Sequence, residues 1–329
     1  MDVNHAPNGP SIVSRVMDAA VVPGFSRIGY AVRSRLGHWA DPSSMDLSGK
    51  VVVITGPTSG IGEATASLLA PTGARLVLVA RNATKCAATV AALRDSCTGG
   101  EPETVIADMG DLASVRDASR AIAARHGAVH ALVHNAGALF TARETSPQGR
   151  EATIESHVLG PHLMTSLLLP SLRAGNGRVV TVSSGGMYAV GVPDCGDGRT
   201  PEMGPGSWDG TRQYAIAKRV QVVLNEMWAA GEPGVSFAAM HPGWADTPGV
   251  RSSIPLFGRV TSPILRSPRE GADTVAWLVA VPDQGESGQF WCDREPRPVH
   301  RVPTTRRTDT VAAREALWRW CEDSISAWR

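Results

Sequence analysis

From Lys50 onward, short apolar runs rich in β-branched residues alternate with longer alanine-rich segments of helical period. The runs are KVVVIT (50–55), ARLVLVA (74–80), ETVIAD (103–108), VHALVHNAG (129–137), GRVVTVSS (177–184) and GVSFAAMHPG (234–243). Helices are predicted between them at about 60–70, 83–96, 111–126, 149–173 and 211–230. A further helix near 269–280 precedes a short strand, QFWC, and Ala312–Ala327 reads as a terminal helix. The runs are continuous rather than strictly alternating, which fits strands buried on both faces and hence a parallel sheet. Strand and helix in alternation predict a doubly wound α/β sandwich that binds ligands at the carboxyl ends of its strands. The turn-rich stretch 191–210 reads as an insertion, so one domain over 46–295 is expected, flanked by extensions at 1–45 and 296–329.

The extension before the domain has its own pattern. Phe25, Ile28, Val32 and Leu36 recur at helical spacing, with Arg27, Arg33 and Arg35 on other faces. The expected structure is a helix packed on the domain or on a second subunit. The alternative is a basic amphipathic helix lying on a membrane surface.

Composition narrows the partners. Formal net charge is +1, so whole-protein electrostatics point to neither nucleic acid nor an anionic surface as partner. The five cysteines are odd in number and never in a CxxC spacing, so a reducing cytoplasm is expected and a disulfide framework is not. The chain has no apolar stretch of the roughly 20 residues a spanning helix needs, and the layout of its first residues is not the basic-then-apolar one expected of a signal peptide. His126, His130 and His134 recur every four residues, yet Gly127 and the strand pattern VHALVH break any shared helical face. No metal site is expected there.

The first strand runs into TGPTSGIG (55–62) and then a helix. Gly56 allows the tight turn, Gly60 lets backbone approach a phosphate, and Gly62 lets the helix sit close to the sheet. The helix N-terminus then offers free N–H groups to a pyrophosphate. Pro57 removes one donor from this loop. TGPTSGIG resembles the TGxxxGIG fingerprint of the short-chain dehydrogenase/reductases, and that family's other motifs follow in order. HNAG (134–137) is similar to its NNAG turn, VSS (182–184) ends the fifth strand, YAIAK (214–218) fits YxxxK, and HPGWADT (241–247) fits PGxxxT. The resemblance covers about residues 46–295 and implies a Rossmann-like fold.

It also implies a site. Ser184, with Ser183 as the fallback, would hydrogen-bond a substrate oxygen. Tyr214 would supply the proton, and the Lys218 ammonium one helical turn away would acidify a phenol whose reference pKa is ~10. The family's fourth catalytic residue, an asparagine supporting a water that relays protons to the lysine, is here His157 in SHVLG (156–160). A substitute relay is the first expectation for it, redirection to substrate the second, and lost activity the third. Tyr188, with no lysine four residues on, reads as a pocket or core residue.

Matching cofactor positions are Gly56, Thr58, Ser59, Gly60, Ile61, Gly62, Asp108, Asn135, Gly137, Tyr214, Lys218, Pro242, Gly243 and Thr247. Plain turn chemistry is the alternative for Asn135 and Gly137. Arg81 ends the second strand where the family's NADP-users often carry an arginine that accommodates the 2′-phosphate, so NADP(H) is expected, with a solvated loop residue as the alternative. The function implied is interconversion of a carbonyl and a secondary alcohol in a small molecule. Its alternative is a catalytically impaired dinucleotide-binding sensor or interaction protein. The TGxxxGIG spacing disfavours an epimerase or dehydratase. Met187, Val190, Val192, Trp208, Trp244, Ile254, Leu256 and Phe257 imply a lipophilic substrate, and the family resemblance implies a homo-oligomer.

Overall fold

The computed structural model describes residues 9–20, 22–246 and 261–329. Eight strands form one sheet in the order β3-β2-β1-β4-β5-β6-β7-β8. They are β1 (Val51–Thr55), β2 (Arg75–Ala80), β3 (Glu103–Ile106), β4 (Ala131–His134), β5 (Arg178–Val182), β6 (Ser236–Met240), β7 (Phe290–Cys292) and β8 (Glu295–Pro296). All neighbouring pairs are parallel except β7 with β8, a hairpin too tight for a crossover. Every residue of β1 is buried. Val51 and Val53 enter one apolar layer while Val52 and Ile54 enter the other, so the run is apolar without alternating in polarity.

Helices cover both faces, as the alternating pattern predicts. The helix Pro268–Ala280 starts in a capping box between Ser267 and Glu270 and lies against Gly60–Leu69. A Cβ at Gly271 would come within 2.6 Å of Ile61 Cδ1, so a larger residue at this crossing would have to push the Ile61 side chain aside. The terminal helix Val311–Ile325 buries Leu317, Cys321 and Ile325 in the core. Its Glu322 accepts from His162 Nε2 at 2.7 Å.

The extension before β1 forms helices Ile12–Ala19, Val22–Phe25 and Arg27–Leu36. The predicted apolar face over 25–36 does not act as one. Phe25 is buried, but Ile28 and Leu36 are exposed, and the helix Arg27–Leu36 turns Gly29 and Arg33 inward instead. The reason is ionic. Arg33 is buried against Asp18 and Asp293 at 2.6 and 2.5 Å, partners that the local periodicity of 25–36 gives no hint of.

Strand order reverses between β1 and β4: from β1 the chain moves outward to β2 and β3, then returns past β1 to β4. Ligands of such sheets sit at that switch point, beyond the carboxyl ends of the strands. The glycine-rich turn, HNAG and VSS all stand there.

Candidate functional site

The glycine-rich turn is built for a group approaching its backbone. Gly56 and Gly60 have φ of +65° and +57°, where L side chains are strained. A Cβ on Gly62 would overlap the Gly56 carbonyl and Asn135 Nδ2. Ser59 caps the helix Gly60–Leu69 with no side-chain hydrogen bond, so Ser59 does not occupy the first N–H groups. Thr58 is half-buried beside it, while Ile61 turns into the core. Arg81 is exposed at the end of β2, and Asp108 is exposed after β3 with Oδ1 accepting from the Gly110 N–H at 2.9 Å. These features fit a phosphate-bearing cofactor: free helix donors, glycines that open the backbone and a cation at the rim.

Asn135 turns out to brace this turn. Its Nδ2 donates to the carbonyls of Thr55 and Gly56 at 3.1 and 3.0 Å. Thr55 Oγ1 accepts from the N–H groups of Asn135 and Ala136, both at 3.0 Å, and donates to the Val133 carbonyl. The HNAG turn and the glycine turn are thereby one unit. Pro242 and Gly243 play a comparable part, since Gly243 has φ +72° and a Cβ there would meet the Arg266 guanidinium at 2.5 Å. Thr247, with Ile254, Leu256 and Phe257, lies outside the described residues.

Tyr214, Lys218 and Ser184 converge beyond β5. The helix Gly210–Gly231, capped by Asp209 accepting from the Arg212 N–H at 2.7 Å, carries the tyrosine and lysine on one face. Lys218 Nζ lies 5.3 Å from the Tyr214 ring centre. Ser184 lies close enough to the Tyr214 hydroxyl to lower its pKa, and its Oγ accepts from the Gly186 N–H at 3.2 Å. Ser183 is committed elsewhere, donating to the Lys218 carbonyl at 2.9 Å, which removes it as the fallback. Lys218 is buried, and its Nζ donates to the Val182 carbonyl at 2.9 Å and to Gln221 Oε1 at 3.1 Å.

Burial sets the electrostatics here, against the expectation of an acidified phenol. Desolvation raises Tyr214 above its ordinary value of 10.0, and nearby Ser184 only partly offsets this. Desolvation also brings Lys218 down to about 7. Its charge is therefore held far less firmly at neutral pH than that of an exposed lysine.

His157 lies within a π-helical turn, Glu155–Leu159, and is fully buried. Its Nε2 accepts from the Ala138 N–H at 2.9 Å, and its ring stands edge-on to Tyr214 with centroids 5.4 Å apart. A Cβ on Gly137 would meet this ring at 2.6 Å, so Gly137 makes room for His157. Desolvation, then the Lys218 charge, hold the imidazole well below its ordinary value, hence neutral. Its side chain supports the HNAG turn and the back of Tyr214. Its main chain reaches Lys218, because Gln221 Nε2 donates to the His157 carbonyl at 2.8 Å while Gln221 Oε1 holds Nζ.

Gln213, next to Tyr214, was equally silent in the sequence. Fully buried, it accepts from the Met203 N–H at 2.6 Å and donates to the Pro201 carbonyl at 3.1 Å, clamping the 191–210 insertion beside the site. A lone glutamine on a helix carries no spacing signal. Of the apolar residues read as pocket, Met187 and Val192 are buried in the core, leaving Val190, Trp208 and Trp244 partly exposed. Tyr188 is likewise core, donating to the Pro298 carbonyl at 3.0 Å. The histidines at 126, 130 and 134 bind Glu103, the Val51 N–H and Thr165 respectively, and do not converge.

Glu155 is the misfit. It is fully buried, and neither carboxylate oxygen has a hydrogen-bond partner among the described residues. Burial raises its carboxyl to about 7. Because the folded value exceeds the unfolded one, stability is full at acid pH and falls as pH rises through about 7. Glu155→Gln should therefore stabilise the protein above pH 7, by about 3 kcal/mol from the size of that shift, and by little at low pH. Urea unfolding at two pH values checks this; equal effects at both would remove the ionisation argument.

The model of the short chain dehydrogenase family matches residues 50–192. Dehydrogenase/reductase SDR family member 12 from Bos taurus is 35% identical over 296 residues, covering 89% of this chain and 91% of its own. Polyprenol dehydrogenase from Mus musculus is 31% identical, covering 80% and 81%. Among solved structures, L-sorbose reductase from Gluconobacter frateurii, complexed with NADPH and L-sorbose, superposes with a TM-score of 0.60 at 22% identity, covering 75% and 95%. With a doubly wound sheet, a glycine turn at its switch point and a YxxxK helix beside it, this chain belongs to the short-chain dehydrogenase/reductase family of oxidoreductases.

Proposed function

We propose that the protein uses NADP(H) to interconvert a carbonyl and a secondary alcohol, with Tyr214 as the acid/base. The convergence of Tyr214, Ser184 and Lys218 beside the glycine turn carries this reading. The cofactor, when bound, supplies the hydride. The turn at 56–62 and Arg81 would hold its phosphates, and Lys218 its ribose. Ser184 donates to the substrate oxygen and Tyr214 exchanges the proton with it. The direction of the Tyr214 shift favours reduction, because the protonated phenol is the form that donates. Val190, Trp208 and Trp244 at the rim support a lipophilic substrate.

NADPH oxidation against a panel of aldehydes and ketones tests the proposal. Arg81→Ala should raise the Kd for NADPH roughly tenfold, the loss of about one charge-assisted contact, and leave NADH nearly unaffected. Equal binding of NADH and NADPH by the parent protein would end the cofactor assignment. NADPH binding with no turnover across the panel would favour a sensor.

Gln221 enters as a positioning residue. Its amide spans the gap between Nζ and the His157 carbonyl, where the family's asparagine supports a water. An amide fixes the ammonium but does not pass a proton along. Gln221→Leu should lower kcat about tenfold, consistent with leaving buried groups unpaired, and move the Lys218-dependent limb of the pH–rate profile to lower pH. Gln221→Glu should move that limb upward. Identical profiles in the two variants would dismiss the role.

A further inference from the structure

The helix Ile12–Ala19 turns Ser14 and Asp18 inward and presents Ile12, 75% exposed, with Val13 and Val16 outward. Exposed Val22, Ile28 and Leu36 on the next two helices continue an apolar surface. The charges among them are of one sign. Between residues 9 and 40 the only carboxylate is Asp18, which is buried against Arg33 and Arg297. Arg15, Arg27 and Arg35 are exposed and have no carboxylate partner among the described residues.

A cavity lined by basic residues, of which His300 pairs with Asp309 and Arg301 with Asp18, lies at the end of the first helix. It has a volume of about 410 Å³ and is lined by His300, Arg301, Arg306 and Arg307 together with exposed Val302. Arg301 fastens it to the end of the first helix, donating to the Asp18 carbonyl at 2.9 Å. Arg306 and Arg307 also lack a carboxylate partner among the described residues.

We propose that this face docks on an anionic phospholipid bilayer. The apolar side chains enter the headgroup boundary, the arginines meet the lipid phosphates, and the basic cavity receives one headgroup. A second copy of the chain fits less well. A two-fold interface sets the same patch against itself, so arginines would face arginines with no carboxylate between them. The face is also coupled to the site. Phe25, which ends the second helix, stacks 6.3 Å from Trp244 and accepts from the Trp244 N–H at 2.8 Å, beside the end of β6. A lipophilic molecule leaving the bilayer would arrive next to Trp244.

Co-sedimentation of the full chain with vesicles decides the matter without any assay of turnover. Phosphatidylcholine containing phosphatidylglycerol should pellet the protein, phosphatidylcholine alone should not, and added salt should weaken the effect. Ile12→Asp with Val16→Asp, and separately Arg306→Glu with Arg307→Glu, should each cut partitioning at least tenfold, in keeping with about one factor of several per basic residue. All four positions are exposed, so the thermal midpoint should not move; a variant with a lowered midpoint is replaced by Leu36→Asp. Failure to bind the anionic vesicles overturns the proposal, as does binding that survives both pairs of substitutions. Light scattering that shows a dimer dissolved by Ile12→Asp, with no vesicle binding, would instead make the face a contact between copies.

Discussion

Tyr214→Phe is expected to lower kcat/KM for carbonyl reduction by about 10³-fold, roughly 4 kcal/mol of transition-state stabilisation. The Kd for NADPH and the unfolding midpoint should change little. Phenylalanine keeps the ring, its edge-on contact with His157 and its place over Lys218. Only the hydroxyl, with its influence from nearby Ser184, is lost. The pH dependence sharpens the test. Burial holds the phenol above its ordinary value, so the donating form dominates through neutral pH. Reduction should thus be insensitive to phenol ionisation near pH 7, whereas oxidation should rise with pH as the phenolate forms. Turnover that survives the substitution would remove Tyr214 from the chemistry and leave Ser184 without a partner to work through.

Which parts of this site were legible in the sequence follows from how far each signal reaches. Val51–Thr55 and TGPTSGIG are local statements: a doubly buried strand, then glycines at positions where φ is positive or a Cβ would collide. Their arrangement in space follows from them. Tyr214 and Lys218 share a helical face by spacing alone. Their proton affinities do not follow from spacing, because burial depends on what the rest of the chain places around them. That is why the phenol moves up where an acidified one was expected. Gln221 and Gln213 have no pattern to announce them, yet one bridges Lys218 to the His157 main chain and the other secures the 191–210 insertion. At His157 the residue type was informative but the atom was not: its carbonyl faces the lysine network, while its ring supports the turn at 135–138. Ile28 and Leu36 were read as a packing face because periodicity cannot see Asp293, 260 positions from Arg33.

Asp293→Ala should destabilise the chain by about 3–5 kcal/mol in urea unfolding, the usual result of stranding buried charges. Asp293 lies in the turn between β7 and β8, where it and Arg294 have φ of +54° and +55°. Its Oδ1 accepts from Arg266 Nη1 at 2.6 Å, and its Oδ2 accepts from Arg266 Nη2 at 2.8 Å and Arg33 Nη1 at 2.5 Å. Both arginines are almost inaccessible. Arg266 also donates to the carbonyls of Ser26 and Pro242, so one carboxylate joins the N-terminal helices, the Pro242–Gly243 turn and the far edge of the sheet. Burial alone would raise its pKa, but Arg266 and then Arg33 outweigh it and hold the group below the ordinary 3.8. A depressed carboxyl stabilises the fold above its unfolded pKa and loses that contribution as pH falls. The deficit of Asp293→Ala should therefore be full at neutral pH and shrink in acid. Asp293→Asn retains the shape and suits positive φ, so a comparable loss in that variant would assign the effect to charge and not to the turn. Limited proteolysis should then cut Asp293→Ala first within residues 9–40, because Arg33 is the anchor of that segment. A loss below about 1 kcal/mol, the range of an exposed ion pair, would mean that these arginines are not held by Asp293.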